Sequence, residues 1–156
     1  MNDMKKVIIY TDGACSGNPG EGGWGAILKY GENEKIISGF DKNTTNNKME
    51  LVAAIEAIKS IKEPCEIELF SDSAYLINGF LKQWVKKWKL NGWKNSSKDE
   101  VKNIDLWKEL DKYNSMHHIS WVKVKGHSDN VHNNRCDRLA TDEIKKHRKG
   151  NDSNGL

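Results

Sequence analysis

The sequence predicts a single α/β domain, from three features along the chain. A continuous β-branched and aromatic run at residues 7–10 indicates a buried strand, and alternating apolar residues at 24–40 indicate an antiparallel pair. Segments with apolar residues spaced three and four apart indicate helices between the remaining strands. With 156 residues the chain can bury a substantial core. We expect one domain at residues 1–146 and a disordered polar tail at 147–156.

Composition indicates a soluble, cytoplasmic protein without membrane association. The mean hydropathy is -0.77, and no apolar run approaches the roughly 18 residues of a membrane span. The first residues, MNDMKK, have no signal-peptide core. The three cysteines form no C-x-x-C pair, which favours reduced thiols over a disulfide framework. The net charge of +3 is too small to prove a polyanionic partner by itself.

The first strand, Lys5–Cys15, carries an aspartate near its end. Asp12 lies on the same side of the strand as Ile8 and Tyr10, because side chains alternate along a strand. A carboxylate there is costly unless a cation meets it, and no Lys or Arg is near enough in sequence without the chain folding back. The next residue, Gly13, leaves room for a ligand to approach the backbone. We predict that Asp12 is a metal ligand.

A glycine-rich segment follows at residues 20–25, GEGGWG, which matches G-x-G-x-x-G. The dinucleotide-binding motif of that form requires a helix immediately afterwards. Here residues 24–30 alternate as in a strand, residues 31–33 predict a turn, and residues 35–40 alternate again. This pattern excludes dinucleotide binding and predicts an antiparallel hairpin.

The clearest helix is predicted at residues 44–61, and Glu50 lies in its first turns. One interpretation pairs Glu50 with Asn47 in a capping box. The other makes it a metal ligand, because it lies on one helical row with Ala54 and Ala57 and has no cation three or four residues away.

Two further acids, Asp72 and Asp137, can each be interpreted either as a structural residue or as part of a metal site. Asp72 follows the strand within residues 66–71, where it is either a helix N-cap or part of a site at the strand end. Asp137 shares a row with apolar residues of the last helix, predicted at residues 133–146, and is either a metal ligand or a surface partner of Arg138.

A polar turn at residues 126–130 contains His127, after a helix predicted at 98–113 and a strand at 119–125. With His132 and Cys136 it faintly resembles a zinc site, but the spacing fits no common zinc pattern. A loop histidine with a pKa near neutrality suits proton transfer.

Residues 82–94 contain five lysines and no acid, interleaved with tryptophans. Such a segment is either an amphipathic surface helix with tryptophan in the core or a surface for a nucleic-acid backbone. We favour the second and call this surface the basic ridge; it comprises Trp84, Lys86, Lys87, Trp88, Lys89, Trp93 and Lys94.

Four carboxylates without a thiolate select Mg²⁺, or Mn²⁺ as a substitute. If Asp12, Glu50, Asp72 and Asp137 converge, they can hold two ions about 3.5–4 Å apart, which activate water and stabilise the leaving oxygen in phosphodiester cleavage. Together with the basic ridge, this predicts a metal-dependent nuclease.

The motifs YTDGACSGNPGEGGWGAIL, TTNNKMELVAAI, DSAYLINGF, NGWK, VKNIDLW, VKGHSDN and NNRCDRLA occur in this order between Lys5 and Lys145. Together they resemble ribonuclease H of type 1. The resemblance implies a mixed five-stranded sheet flanked by helices, with strands 3-2-1 antiparallel and strands 4-5 parallel. It also implies a monomer that cleaves the RNA strand of RNA–DNA hybrids endonucleolytically, leaving 5′-phosphate and 3′-hydroxyl ends.

The resemblance implies a role for each matching residue. The four acids fall on the family's metal ligands, and His127 falls on a histidine thought to aid product release or relay a proton. The basic ridge corresponds to a protrusion that grips the hybrid. Residues expected at the RNA strand, where 2′-hydroxyls distinguish RNA from DNA, are Gly13, Cys15, Asn18, Asn46 and Asn47. Those expected at a DNA-strand phosphate are Thr45, Lys48 and Asn103.

Two positions depart from the family pattern. Ala74 stands where many members have a glutamine that contacts the substrate, and Asn134 stands where a glutamate is frequent. Both bear on cleavage preference and turnover.

Three rival functions follow from the same residues. An integrase-like or junction-cutting nuclease needs a DNA-recognition module, for which 156 residues leave no space. A catalytically dead hybrid-binding module is disfavoured because all four acids are present. A plain α/β domain, in which the acids are caps and surface charges, predicts no effect of Mg²⁺.

Overall fold

The computed structural model describes residues 4–125 and 130–154, with side chains up to residue 148. Its core is one five-stranded sheet in the order β3-β2-β1-β4-β5. β1 pairs antiparallel with β2, as β2 does with β3, whereas β1–β4 and β4–β5 are parallel. This arrangement confirms the predicted mixed sheet. The strands are β1 (Lys5–Gly17), β2 (Gly20–Tyr30), β3 (Asn33–Thr44), β4 (Cys65–Ser71) and β5 (His118–Lys123).

Within the described residues, five helices flank the sheet: α1 (Asn46–Lys59), α2 (Ala74–Leu81), α3 (Trp84–Leu90), α4 (Ile104–Met116) and α5 (Val131–Asn154). Helices α1 and α5 cover opposite faces of the sheet, since neighbouring residues of a strand face opposite ways. A Cβ atom at Gly22 would lie 2.8 Å from Met49 Cγ of α1, and one at Gly23 would lie 3.1 Å from Glu143 Cβ of α5. The glycines of β2 therefore allow both helices to pack closely against the sheet.

The main apolar core lies between the sheet and the α1 side. Ile9 of β1, Leu51 of α1 and Leu69 of β4 are fully buried there, together with Trp107 and Leu110 of α4. Burial of such side chains stabilises the fold by roughly 1.5–3 kcal/mol each. The C-terminal ends of β1 and β4 are thus supported by rigid packing.

Helix α4 begins later than predicted. The apolar spacing suggested a helix from Lys98, but Lys98 and Asn103 have φ angles of 67° and 58°, which no helix residue adopts. An isolated bridge between Lys94 and Glu100 occupies this segment instead. The helix starts only at Ile104.

Helix α5 is longer than the predicted residues 133–146, because it spans Val131–Asn154. The ring of His147 stacks on Phe40 with centroids 3.9 Å apart, and Arg148 Nε donates to Glu21 Oε1 at 2.8 Å. The disorder expected from residue 147 is therefore wrong at His147 and Arg148. Residues 155 and 156 lie outside the described part of the chain.

Within residues 4–125 and 130–154, no helix has the length and apolar character needed to cross a membrane. The thiols of Cys15, Cys65 and Cys136 are free, as expected from their spacing.

Candidate active site

Asp12 lies in the middle of β1, opposite Gly25 of β2, and is only 7% exposed. The parallel pairing of β1 with β4 ends at Tyr10 and Phe70, so on that side Asp12 lies beyond the last paired residues. The backbone N–H of Gly13 donates to Asp12 Oδ1 at 2.9 Å, which fixes one carboxylate oxygen. A buried carboxylate is thus held on the central strand, just past the end of its pairing with β4, with one oxygen oriented by the backbone.

Glu50 is not part of a capping box, because α1 begins earlier than that interpretation requires. The N-cap is Thr45, whose Oγ1 accepts from the Lys48 N–H at 3.2 Å, so Lys48 holds the position a capping-box acid would take. Glu50 is 5% exposed. Its Oε1 has no hydrogen-bond partner among the described residues. A buried acceptor of this kind is expected to meet a cation or a donor from outside the chain.

Asp72 lies between β4 and α2 but does not cap the helix. Ser73 is the N-cap, and its Oγ accepts from the Leu76 N–H at 3.1 Å. The N-cap interpretation of Asp72 is therefore wrong, and its half-buried side chain remains available to the site.

The structure brings Asp12, Glu50 and Asp72 together although three different segments carry them. One carboxylate oxygen from each lies within 4.8 Å of the others. No Lys or Arg is ion-paired with any of them in the described structure. Three acids at such distances repel one another unless protons or a cation neutralise them.

Asp12, Glu50 and Asp72 form an acid cluster in which burial and mutual repulsion raise the pKa values of Asp12 and Glu50. Desolvation, followed by the charges of Asp72 and Asp137, raises the pKa of Asp12 to about 8. Desolvation, followed by the charges of Asp12 and Asp72, raises the pKa of Glu50 well above its ordinary value. Asp12 and Glu50 thus hold their protons more tightly than ordinary carboxyls do, and a divalent cation would have to displace those protons.

Asp137 lies at the rim of the acid cluster. It is exposed on α5, and it lines a cleft of about 30 Å³ together with Asp12 and Asp72. That volume is close to the space of one water molecule. No ion pair with Arg138 occurs among the described residues, so the surface-pair interpretation has no support. His127 lies outside the described residues.

The surface expected at the RNA strand lies where β1, β2 and the start of α1 meet. Asn18 Oδ1 accepts from the Asn46 N–H at 3.1 Å, and the Cys15 thiol donates to the Thr44 carbonyl at 3.4 Å. Asn46 and Asn47 are exposed. Gly13 was expected to leave room for a ligand beside its backbone. In the structure, the backbone of α1 occupies the space where a Gly13 side chain would lie.

Of the three residues expected at a DNA-strand phosphate, Lys48 and Asn103 line a cavity, whereas Thr45 caps a helix. Lys48 and Asn103 line one open cavity of about 530 Å³ at the start of α4. The Asn103 Nδ2 donates to the Tyr75 hydroxyl at 3.1 Å, which orients its amide. Thr45 serves as the N-cap of α1.

The basic ridge has tryptophan packed against the core, as in an amphipathic helix, and also exposes lysines, as a nucleic-acid surface would. Trp88 packs edge-on against the buried Trp107, with centroids 5.3 Å apart, so one face of α3 belongs to the core. Lys89 is ion-paired with Asp111 at 3.0 Å. The remaining lysines of the ridge, Lys86, Lys87 and Lys94, are exposed.

Two polar residues of the cleft were not predicted from the sequence. Lys125 and Asn133 line it beside Asp12 and Asp72. Asn133 precedes Asp137 by four residues and so lies on the same helix face. This spacing is the one sequence signal that could have identified it.

Comparisons with known proteins agree with this geometry. The profile of the RNase H family matches residues 4–145. The chain is 72% identical over 146 residues to the ribonuclease H of Acetivibrio thermocellus, covering 94% of this chain and 99% of that protein. It is 60% identical over 150 residues to the ribonuclease H of Caldanaerobacter subterraneus subsp. tengcongensis, covering 96% of this chain and 98% of that protein.

A solved structure gives the same fold. LC9-RNase H1, described as a type 1 RNase H with the type 2 active-site motif, superposes with a TM-score of 0.80 at 28% identity. The match covers 90% of this chain and 72% of that one. By sequence and by fold, the chain belongs to the RNase H family of nucleases.

Proposed function

We propose that this protein is an endonuclease that hydrolyses the RNA strand of RNA–DNA hybrids and leaves 5′-phosphate and 3′-hydroxyl ends. The observation that carries the proposal is the convergence of three buried or half-buried carboxylates, Asp12, Glu50 and Asp72, beside the point where the β1–β4 pairing ends. Asp137, at the rim of the same cleft, completes the proposed ligand set.

The acid cluster suits hard divalent cations. All its donors are carboxylate oxygens, which favour Mg²⁺ and accept Mn²⁺ in its place. The unpartnered buried oxygen of Glu50 also fits a ligand role better than a structural one. When bound, a pair of such ions supplies an activated water and stabilises the leaving oxygen of the phosphodiester.

The protein's own groups prepare this site. The Gly13 N–H orients the carboxylate of Asp12. Burial makes Asp12 and Glu50 retain protons, so these carboxyls must lose them before they can bind a cation fully. His127 is proposed to relay a proton or to help the product leave.

Selection of a hybrid requires separate contacts for each strand. We propose that Cys15, Asn18, Asn46 and Asn47 meet the RNA strand, with the backbone at Gly13, because the contacts of Cys15 and Asn18 gather these positions at the start of α1, the helix that carries Glu50. Contacts to 2′-hydroxyls there would distinguish RNA from DNA. The cavity lined by Lys48 and Asn103 would receive a phosphate of the DNA strand, which the Lys48 ammonium and the Asn103 amide could contact.

The basic ridge would hold the hybrid at a distance from the cleft. Its exposed lysines lack nearby acids along α3, so they can neutralise phosphates without regard to sequence. The contact should therefore contribute affinity that falls steeply with salt concentration.

The test is cleavage of a hybrid whose RNA strand or DNA strand carries the label, with and without Mg²⁺. We expect Mg²⁺-dependent products from the labelled RNA strand only. Single-stranded RNA, double-stranded RNA and double-stranded DNA serve as controls and should remain intact. Binding of the hybrid without cleavage would instead indicate a binding module, and equal cleavage of double-stranded DNA would indicate a different nuclease.

A further inference from the structure

Asn133 joins β1 and β4 at the place where the pairing between these two strands ends. Its Nδ2 donates to the Phe70 carbonyl of β4 at 3.1 Å and approaches the Thr11 carbonyl of β1 at 3.4 Å. Because both partners are acceptors, the nitrogen of the amide must be the end that faces them. Asn133 is only 8% exposed, so these bonds are shielded from competing water.

The position of these bonds matters because the strands stop pairing there. The β1–β4 ladder ends at the pair Tyr10–Phe70, and the two catalytic-site acids Asp12 and Asp72 come after it. Thr11 immediately precedes Asp12 along β1. Asn133 therefore links the two strands at the place where the separation of the two acids is determined.

Asn133 is itself held firmly at the start of α5. Its backbone N–H donates to Asn130 Oδ1 at 3.1 Å. One turn later, the Cys136 thiol donates to the Tyr10 carbonyl at 3.2 Å. The first turns of α5 are thus fastened to β1, and Asp137 lies four residues after Asn133 on the same helix face.

The remaining atom of the amide has no partner in the described part of the chain. Asn133 Oδ1 is buried and accepts no hydrogen bond from the described residues. Asn133 lines the same cleft as Asp12, Asp72 and Asp137. A buried acceptor in such a place is expected to receive a donor from water or from the substrate.

We propose that Asn133 is a positioning residue of the active site. Where the β1–β4 pairing ends, its Nδ2 holds the two strands at the separation that lets Asp12 and Asp72 bind one cation together, while its place on α5 brings Asp137 to the same cleft. The inference rests on the proposed function. It differs from a merely structural role, in which Asn133 would fasten α5 to the sheet without affecting the affinity for cations.

The test compares Asn133→Ala with Asn114→Ala. Asn114 is a matched control because its Oδ1 accepts from Trp121 Nε1 at 2.9 Å and joins α4 to β5, away from the acids. Mg²⁺ affinity is measured by calorimetry on the folded proteins, and kcat and KM are measured on a hybrid. For Asn133→Ala we expect the Mg²⁺ Kd to rise at least fivefold and kcat to fall at least tenfold, with KM within twofold of wild type.

Asn114→Ala should lower the Tm but leave the Mg²⁺ Kd and kcat within twofold of wild type. If Asn133→Ala also keeps both values within twofold, Asn133 has only a structural role and the inference is overturned. If Asn133→Ala does not fold, Asn133→Ser is compared through the increase in Tm that saturating Mg²⁺ produces. A smaller increase than in wild type supports the inference, and an equal increase overturns it.

The wild-type protein separates this inference from the proposed function. If wild type neither binds Mg²⁺ nor cleaves the hybrid, the proposed function itself fails. If wild type does both and the Asn133 variants match it, only the positioning role of Asn133 fails.

Discussion

Gly13 lies against the backbone of Glu50. A Cβ atom at residue 13 would come within 2.6 Å of the Glu50 nitrogen and 2.9 Å of Met49 Cβ. Real contacts of this kind are longer, so a side chain there would force α1 away from β1. The absence of a side chain at Gly13 therefore allows Glu50 of α1 to approach Asp12 of β1.

Replacing Gly13 by alanine should separate these two acids. We expect Gly13→Ala to lower the free energy of unfolding by about 1–3 kcal/mol, as overpacking does, and to weaken Mg²⁺ binding at least tenfold. Gly31→Ala is the control, because Gly31 has a φ of 59° and open space around its Cβ position. It should cost about 1–2 kcal/mol of backbone strain without changing Mg²⁺ binding. Calorimetry and denaturant unfolding would measure both quantities, and equal Mg²⁺ affinities in the two variants would contradict this role of Gly13.

The raised pKa of Asp12 predicts that the metal-free protein loses stability as the pH rises. The pKa is 3.8 for an ordinary aspartate and about 8 in the folded protein, so the folded state binds more protons between these values. Stability from this group is therefore full below pH 4 and decreases towards pH 8, by at most about 1.4 kcal/mol per pH unit. Glu50 acts in the same direction. Unfolding in the presence of a chelator at pH 5 to 8 measures the effect.

The isosteric variant Asp12→Asn should remove much of that pH dependence, because its amide carries no charge. It should also abolish cleavage while leaving hybrid binding unchanged. Mg²⁺ should stabilise wild type more at pH 8 than at pH 6, since protons compete with the cation. A variant with the same pH dependence as wild type would show that Asp12 does not titrate in this range.

The exposed lysines of the basic ridge should contribute to binding through phosphate neutralisation. Replacing Lys86 and Lys87 by alanine should reduce the slope of log K against log salt concentration by about 1.8, as expected for two lost phosphate contacts. Lys89→Ala should reduce it less, because Lys89 is already ion-paired with Asp111. Titration of a labelled hybrid at several salt concentrations measures the slopes. An unchanged slope in the double variant would remove the ridge from the interface.

Ala74 should be a position where a substrate contact can be restored. It is exposed at the first residue of α2, two residues after Asp72. Ala74→Gln should lower the KM for the hybrid about two- to tenfold, the effect of one added hydrogen bond, with kcat unchanged. Ala74→Met has a similar length without the amide and should behave as wild type. The same KM in all three proteins would show that the substrate does not reach residue 74.

Much of the fold follows from local sequence signals, and the acids were identified by their places at strand ends and on apolar helix rows. The N-cap of α1 could not be chosen this way, because Thr44, Thr45, Asn46 and Asn47 are all suitable caps. The extended backbone of Thr45 decides it. The start of α4 was likewise hidden, because the positive φ angles at Lys98 and Asn103 leave no trace in the apolar spacing.

The role of Asn133 could not be predicted from the sequence, because it depends on contacts that only the tertiary structure creates. Its partners, Thr11 and Phe70, are far away in sequence, and the bonds exist only because the β1–β4 ladder ends beside the first turns of α5. A pattern within one helix can indicate which side chains share a face. It cannot indicate which strand carbonyls that face will meet.

The most direct measurement is anomalous diffraction from crystals of the wild-type protein soaked in Mn²⁺. We expect two peaks beside the acid cluster, with the carboxylate oxygens of Asp12, Glu50 and Asp72 about 2.0–2.6 Å from an ion and Asp137 contacting one of the two. Mn²⁺ bound elsewhere, with no peak between Asp12 and Asp72 in a protein that still cleaves the hybrid, would contradict the assignment of these carboxylates as the metal site.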